Sequence, residues 1–167
     1  GYNSLDSEGI RRQGGKSLRY TLLVNTENRS RTAAAEMIAS QLKEYGIKLT
    51  VIKVGFEDYK ARLESGNFQL YLGEVKITEN MDISPLVTEG GSVAFGIKYT
   101  KPDVAEGETQ IATSADIINS YYNGTAEITD VVSVLQTEMP IIPICFPLGV
   151  LFSNDGIDIG NASQSDI

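Results

Sequence analysis

Between Leu18 and Val75 the hydrophobic period switches four times between the repeat of a strand and that of a helix, and this alternation restricts the fold more than any other feature of the chain. The run from Leu18 to Asn25 ends in the continuous apolar residues Leu22, Leu23 and Val24, the pattern of a strand covered on both faces. A polar break from Thr26 to Arg31 offers Asn28 and Ser30 as helix N-caps. Ala34, Met37, Ile38, Leu42 and Tyr45 then recur at spacings of three and four, which predicts an amphipathic helix from Arg31 that Gly46 ends. Ile47 to Val54 alternates apolar with polar residues, the period of a second strand. Phe56, Tyr59 and Leu63 share one side of a short helix closed by Gly66, and Phe68 to Val75 reads as a third strand. Two consecutive β-α-β units predict parallel strands joined by right-handed crossovers.

The flanks are less regular. Asp6 to Gly15 is polar and glycine-rich, and it reads as a turn leading into the first strand. Gly14-Gly15-Lys16-Ser17 imitates the tail of a phosphate loop, but Ile10 stands where that motif needs its first glycine. Lys76 to Thr109 holds no sustained period, contains Pro85, Gly90, Gly91, Gly96, Pro102 and Gly107, and reads as a long loop with one short strand within Ser92 to Tyr99. Ala115, Ile118, Tyr121 and Tyr122 form a helical face that ends at Asn123-Gly124. Thr125 is the expected cap of a further helix carrying Ile128, Val131, Val132 and Leu135, which Pro140 stops. Ile141 to Phe152 is β-branched, aromatic and proline-bearing, an extended segment suited to an edge or a crossing between bodies. The expected division is a lead-in over 1–17, an α/β lobe over 18–140 and a return segment over 141–167.

Composition removes whole classes of chemistry. The 167 residues include no histidine and one cysteine, Cys145, flanked by Ile144 and Phe146 as a buried inert thiol would be. A Ser-His-Asp triad and an imidazole-ligated zinc site are therefore excluded, and no metal or cofactor is expected. Lys and Arg number 14 against 22 Asp and Glu, for a net charge of −8. The basic residues are scattered, which argues against a nucleic-acid partner. No window approaches the ~20 apolar residues of a membrane helix. The opening Gly1-Tyr2-Asn3-Ser4 is no signal peptide, and a processed or excised piece of a longer protein is expected.

In an open parallel sheet whose second and third strands flank the first, the crevice lies between the carboxyl ends of strands one and three. The first helix points its N-terminal amides into the same space. Asn25, Thr26, Glu74 and Lys76 are the ligand-directed candidates there, and Asp82, Ser92 and Phe95 are candidates from the long loop. Each has a plainer reading. Glu74 and Lys76 fit a solvated pair, and Asn25 and Thr26 fit turn-capping roles. No acid and base stand at a diagnostic catalytic spacing.

The segments Leu22-Leu23-Val24-Asn25-Thr26, Arg31 to Gly46, Gly46-Ile47-Lys48-Leu49, and Tyr59 to Leu63 through Gly66 to Leu70 resemble the second lobe of extracytoplasmic solute-binding proteins of the oligopeptide/dipeptide family, bacterial family 5. The opening Leu5 to Ile10 with Gly15-Lys16 is similar to that family's lead-in. Glu138-Met139-Pro140-Ile141-Ile142-Pro143-Ile144 is similar to its acidic-x-Pro-x-Ile-Pro-Leu exit. The resemblance implies a type II periplasmic-binding-protein-like lobe: α/β, with a mixed, mainly parallel sheet whose strand order begins 2-1-3 and helices on both faces. It also implies a non-enzymatic receptor that closes two lobes around a peptide or similar small solute and docks on an ABC permease. Such a protein is extracytoplasmic, either periplasmic or a membrane-anchored lipoprotein. The chain departs from the family after the third strand. Gly73-Glu74-Val75 replaces a glycine-tryptophan pair, and Asp82-Ile83-Ser84-Pro85 replaces an Asp-Pro step, so the family's aromatic wall is either lost or supplied by Phe95, Tyr71 or Tyr99. In this reading Glu74 meets a peptide ammonium and Lys76 a carboxylate, and 141–152, lacking its neighbour, is prone to self-association.

Two other classes fit the same alternation. An effector-sensing domain of a transcription regulator uses a related fold and would carry a helix-turn-helix upstream. A flavodoxin-like α/β enzyme would carry flavin or metal.

Overall fold

A computed structural model describes residues 1–75, 82–88, 91, 93–95, 114–139 and 141–144. Contacts between Cα atoms divide the chain into two compact units, Gly1–Val75 and Lys76–Ile167.

The first unit opens with three short strands, β1 (Ser4–Leu5), β2 (Arg11–Gln13) and β3 (Lys16–Ser17), paired antiparallel in that order. The expected simple turn is thus a small meander. Its strands are two or three residues long and largely exposed, too short and too polar to show a period. Gly14 and Gly15 form the turn between β2 and β3, both with positive φ.

The main sheet follows. β4 (Arg19–Asn25) runs between β5 (Lys48–Val54) and β6 (Leu70–Tyr71), parallel to both. Register pairs Leu22 with Val51 on one side and with Leu70 on the other. Successive side chains on a strand point to opposite faces. Leu22 and Val24 therefore share the face on which helix α1 (Arg29–Glu44) packs, in a cluster with Ala35 and Leu49 that Ile38, Ala39, Leu42, Val51 and Leu72 extend. Leu23, also buried, points to the other face, where it lines a recess with Thr21, Ile52 and Arg62 near the end of helix α2 (Phe56–Glu64).

Three expectations need correction here. The packed stripe of α1 is Ala35, Ile38, Ala39 and Leu42, while Met37 is 62% and Tyr45 68% exposed. The spacing of three and four was right, but its phase lies with the smaller alanines, which let the helix approach the sheet. On α2, Tyr59 and Leu63 are buried but Phe56, at the first helical position, stays exposed. The third strand is only Leu70–Tyr71. Phe68 instead sets its ring edge-on to Tyr71, with centroids 5.2 Å apart, and the Gln69 side-chain oxygen accepts from the Thr21 amide at 2.8 Å, standing in for a ladder partner.

The meander is tied to this sheet by charge. Arg19 bridges Asp6 at 2.7 Å and Glu8 at 2.9 Å, and Lys48 bridges Glu8 at 2.8 Å. The Arg19 guanidinium, the Ile10 and Glu8 amides and the Ser17 hydroxyl hold the Asp6 carboxyl well below the usual carboxylate range, and Arg19 with Lys48 lowers Glu8. A folded-state pKa below the unfolded one contributes stability above the unfolded value of about 3.9, and that stability is lost as pH falls toward the folded value. Asp6→Asn should therefore flatten the acid limb of a stability-versus-pH curve below about pH 4. An unchanged limb in acid titrations followed by circular dichroism would contradict this role.

In the second unit, α3 (Ser84–Val87), α4 (Ser114–Tyr122) and α5 (Ile128–Glu138) surround Ile118 and Val131, with Ile83, Leu86, Ile117 and Leu135 packed against them. The region read as loop thus contains a one-turn helix at Ser84–Val87. Glu127, not Thr125, caps α5: the Asp130 carboxylate accepts from the Glu127 amide at 3.0 Å, and the Asp130 amide donates to the Glu127 carbonyl at 3.0 Å. The Thr125 hydroxyl turns back to the Ser120 carbonyl at 3.0 Å and closes the end of α4. Ile141, Ile142 and Ile144 lie outside any helix or strand and are exposed. Of the strand expected within Ser92 to Tyr99, the described residues Val93 to Phe95 lie in no strand; the rest of that span, Cys145 and the return segment beyond Ile144 fall outside the described residues. Among the described residues no helix is long and apolar enough to cross a membrane.

Candidate functional site

The carboxyl edge of the parallel sheet is built from the ends of β4, β5 and β6 and the starts of α1 and α2. Asn25, the one buried polar residue among those described, ends β4. Its side-chain oxygen accepts from the Glu27 amide at 2.9 Å, and its carbonyl accepts from the Thr32 hydroxyl at 3.3 Å. Thr26 donates twice to the Val54 carbonyl, from its amide at 2.9 Å and its hydroxyl at 3.1 Å, and so joins the ends of β4 and β5. Asn28 caps α1, its side chain accepting from the Arg31 amide at 2.9 Å. Glu27 reaches across to the other helix and accepts from the Phe56 amide at 3.2 Å. Gly55, the N-cap of α2, has no side chain to do so.

Arg31 and Glu74 form an ion pair at this edge. The first turn of α1 contains Arg29 and Arg31 and no acidic residue, the less favourable sign for a helix N-terminus. Arg31 finds its compensation outside the helix: its guanidinium meets the Glu74 carboxylate at 2.7 Å. The Arg31 side chain is 19% exposed and that of Glu74 is 56% exposed. Beside them the Tyr59 hydroxyl donates to the Leu72 carbonyl at 3.1 Å. Burial pushes that hydroxyl up to about 12, against the opposing influence of the nearby Arg31, so it stays a donor at neutral pH. Burial raises Tyr71 as well. Gly73 leaves room at this crowded corner, since a Cβ there would stand 2.9 Å from the Tyr71 ring.

The structure therefore brings Asn25, Thr26 and Glu74 to one edge of the first unit. Lys76 and Ser92 lie outside the described residues. Asp82 and Phe95 belong to the second unit, where Asp82 accepts from the Ser84 amide at 2.9 Å and the Tyr122 hydroxyl at 2.7 Å. Those donors, Tyr122 foremost, lower its pKa. Sequence reasoning missed Arg31, Glu27 and Tyr122. For Arg31 a signal existed, because a basic first turn without an acid implies a partner elsewhere. A cavity of about 360 Å³ bordered by Thr21, Leu23, Ile52, Arg62 and Phe68 does not include Asn25, Arg31 or Glu74 in its lining. Among the described residues no group of three or more His, Cys, Asp or Glu side chains is placed to hold a metal ion.

A comparison with curated proteins gives no match. Among solved structures, the chain is similar to a nickel ABC transporter from Bacillus halodurans, at 13% identity and a TM-score of 0.55 over 82% of this chain and 28% of that one. That likeness shows a shared α/β fold. NikA from Brucella suis, solved in complex with Fe(III)-EDTA, is 21% identical over 45% of this chain and 15% of its own, with a TM-score of 0.41. The chain spans less than a third of the length of either. A sequence model of the family described as bacterial extracellular solute-binding proteins, family 5 Middle, matches residues 1–86, which include the whole first unit with its parallel sheet and its Arg31–Glu74 pair. With just over half of its residues matched, the chain belongs to the family 5 extracellular solute-binding proteins.

Proposed function

We propose that this chain is part of the second lobe of the solute-binding component of an ABC importer, with a lead-in at 1–17, the lobe at 18–140 and a return segment at 141–167. The protein containing it captures an oligopeptide, a dipeptide or a similar small solute outside the cytoplasmic membrane, as a periplasmic or lipid-anchored receptor, and hands it to a membrane permease without catalysing a reaction. The observation that carries this reading is the family match over residues 1–86.

Within the first unit, the sheet's carboxyl edge is the proposed solute-facing surface. Asn25 and Thr26 set its shape, Glu74 offers a carboxylate to an ammonium group and Arg31 offers a cation to a carboxylate; Lys76, which belongs to the second unit, is a further proposed cation. Asp82, Ser92 and Phe95 are the proposed contacts of the second unit. The exposed Ile142 and Ile144 suit the proposed self-association through 141–152.

One structural neighbour is a nickel transporter, so Ni(II) is the competing solute in the test. In the full protein containing this chain, short peptides should raise the melting temperature in a concentration-dependent way, as a ligand of the native state does. Deleting its gene should reduce uptake of labelled peptide. Stabilisation by Ni(II) with no response to peptides would overturn the peptide reading.

A further inference from the structure

Arg31 carries five N–H donors in a planar fork, enough for a two-point contact with a carboxylate. Among the described residues its guanidinium makes one hydrogen bond, from Nη2 to Glu74 Oε2 at 2.7 Å. The Arg31 side chain is about four-fifths buried, whereas that of its counter-ion is more than half exposed and sits past the end of β6, outside the ladder. Of the two partners the cation thus belongs to the more buried side chain, and the anion can turn to water at the smaller cost.

We propose that Glu74 is an internal competitor for Arg31, an autoinhibitory contact that a solute must exchange to bind. The inference rests on the reading of this edge as the solute-facing surface. A ligand bearing a carboxylate alone must displace Glu74 and leave it without a counter-charge. A ligand bearing an ammonium alone must draw Glu74 away and leave the more buried partner, Arg31, unpaired, the costlier outcome. A ligand carrying both charges replaces one ion pair by two. The contact thus ranks zwitterions first, carboxylates second and cations last, a selectivity that arises by penalising the wrong partners.

The test uses the isotope-labelled full chain and three probes: tri-alanine, its N-acetyl form and its C-terminal amide. The Arg31 Nε–Hε resonance, identified by its loss in Arg31→Lys, is followed during each titration at millimolar concentrations. In the native chain, tri-alanine should move that resonance most, the N-acetyl form less and the amide least. In Glu74→Gln, the N-acetyl form should bind about threefold to fivefold more tightly, the range set by the loss of a partly exposed ion pair, and tri-alanine should lose its lead over it. A merely structural role for Glu74 would shift all three peptides alike, and that result would overturn the proposal. If peptides move other resonances but not that of Arg31, the competitor role fails and the peptide reading stands. If no resonance moves with any peptide, the competitor role fails, and the uptake measurement judges the peptide reading on its own.

Discussion

Leu22→Ala should destabilise the first unit by about 2–5 kcal/mol, a large part of the roughly 5–15 kcal/mol that holds a typical domain together. Leu22 is buried on the central strand, on the face shared with Val24, and its neighbours in the cluster are Ala35 and Leu49 with Ile38, Ala39 and Leu42 around them. Alanines on α1 bring the helix close to the sheet, so the site has little freedom to collapse around a lost side chain, and the cavity term adds to the lost transfer energy. Because the chain forms two units, hydrogen exchange at the amides of β4 and β5 is a better readout than one melting temperature. Met37→Ala is the matched control. Met37 is as apolar and lies on the same helix, but it faces solvent, and its loss should stay within about 0.5 kcal/mol. Comparable losses from the two variants would mean that the packing face of α1 is misassigned.

That pair of variants also marks how far the sequence alone reaches. Periodicity located β4, α1, β5 and α2, because each is long enough to repeat its period and each ends at a residue with a capping or turning role, such as Asn28 or Gly46. It misjudged the phase of α1 because a hydrophobicity count ranks Met37 and Tyr45 above Ala35 and Ala39, whereas close helix–sheet packing prefers the small residues. It missed the meander because strands of two or three residues show no repeat. At the carboxyl edge, Asn25, Thr26 and Glu74 were legible because a parallel sheet dictates where its strand ends meet. Arg31 was not, because its role depends on Glu74, 43 residues away. The same limit applies to Glu27, whose carboxylate caps a helix 29 residues further on. Local pattern finds a residue's element; partners distant in sequence require the register of the whole sheet.

Gly46→Ala should be nearly as costly, by a different route. Gly46 follows α1 with φ +75°, a left-handed conformation that costs an L-residue about 1–2 kcal/mol. A Cβ there would also stand 2.9 Å from Arg11 Cγ and 3.2 Å from the Gly9 carbonyl oxygen. Arg11 has little room to yield, since its amide donates to the Gly46 carbonyl at 2.7 Å and its Nε to the Tyr45 carbonyl at 2.7 Å. The added methyl group therefore pushes the meander off the end of α1, and the clash adds about 1–3 kcal/mol. Gly66→Ala separates the two contributions: Gly66 has φ +69° but no neighbour within 4 Å of a built Cβ, so it should show the conformational cost alone. Faster hydrogen exchange and proteolysis across residues 1–17 are expected in Gly46→Ala and not in Gly66→Ala. Equal losses in both, with the meander protected in each, would show that the close approach of Arg11 and Gly9 contributes nothing.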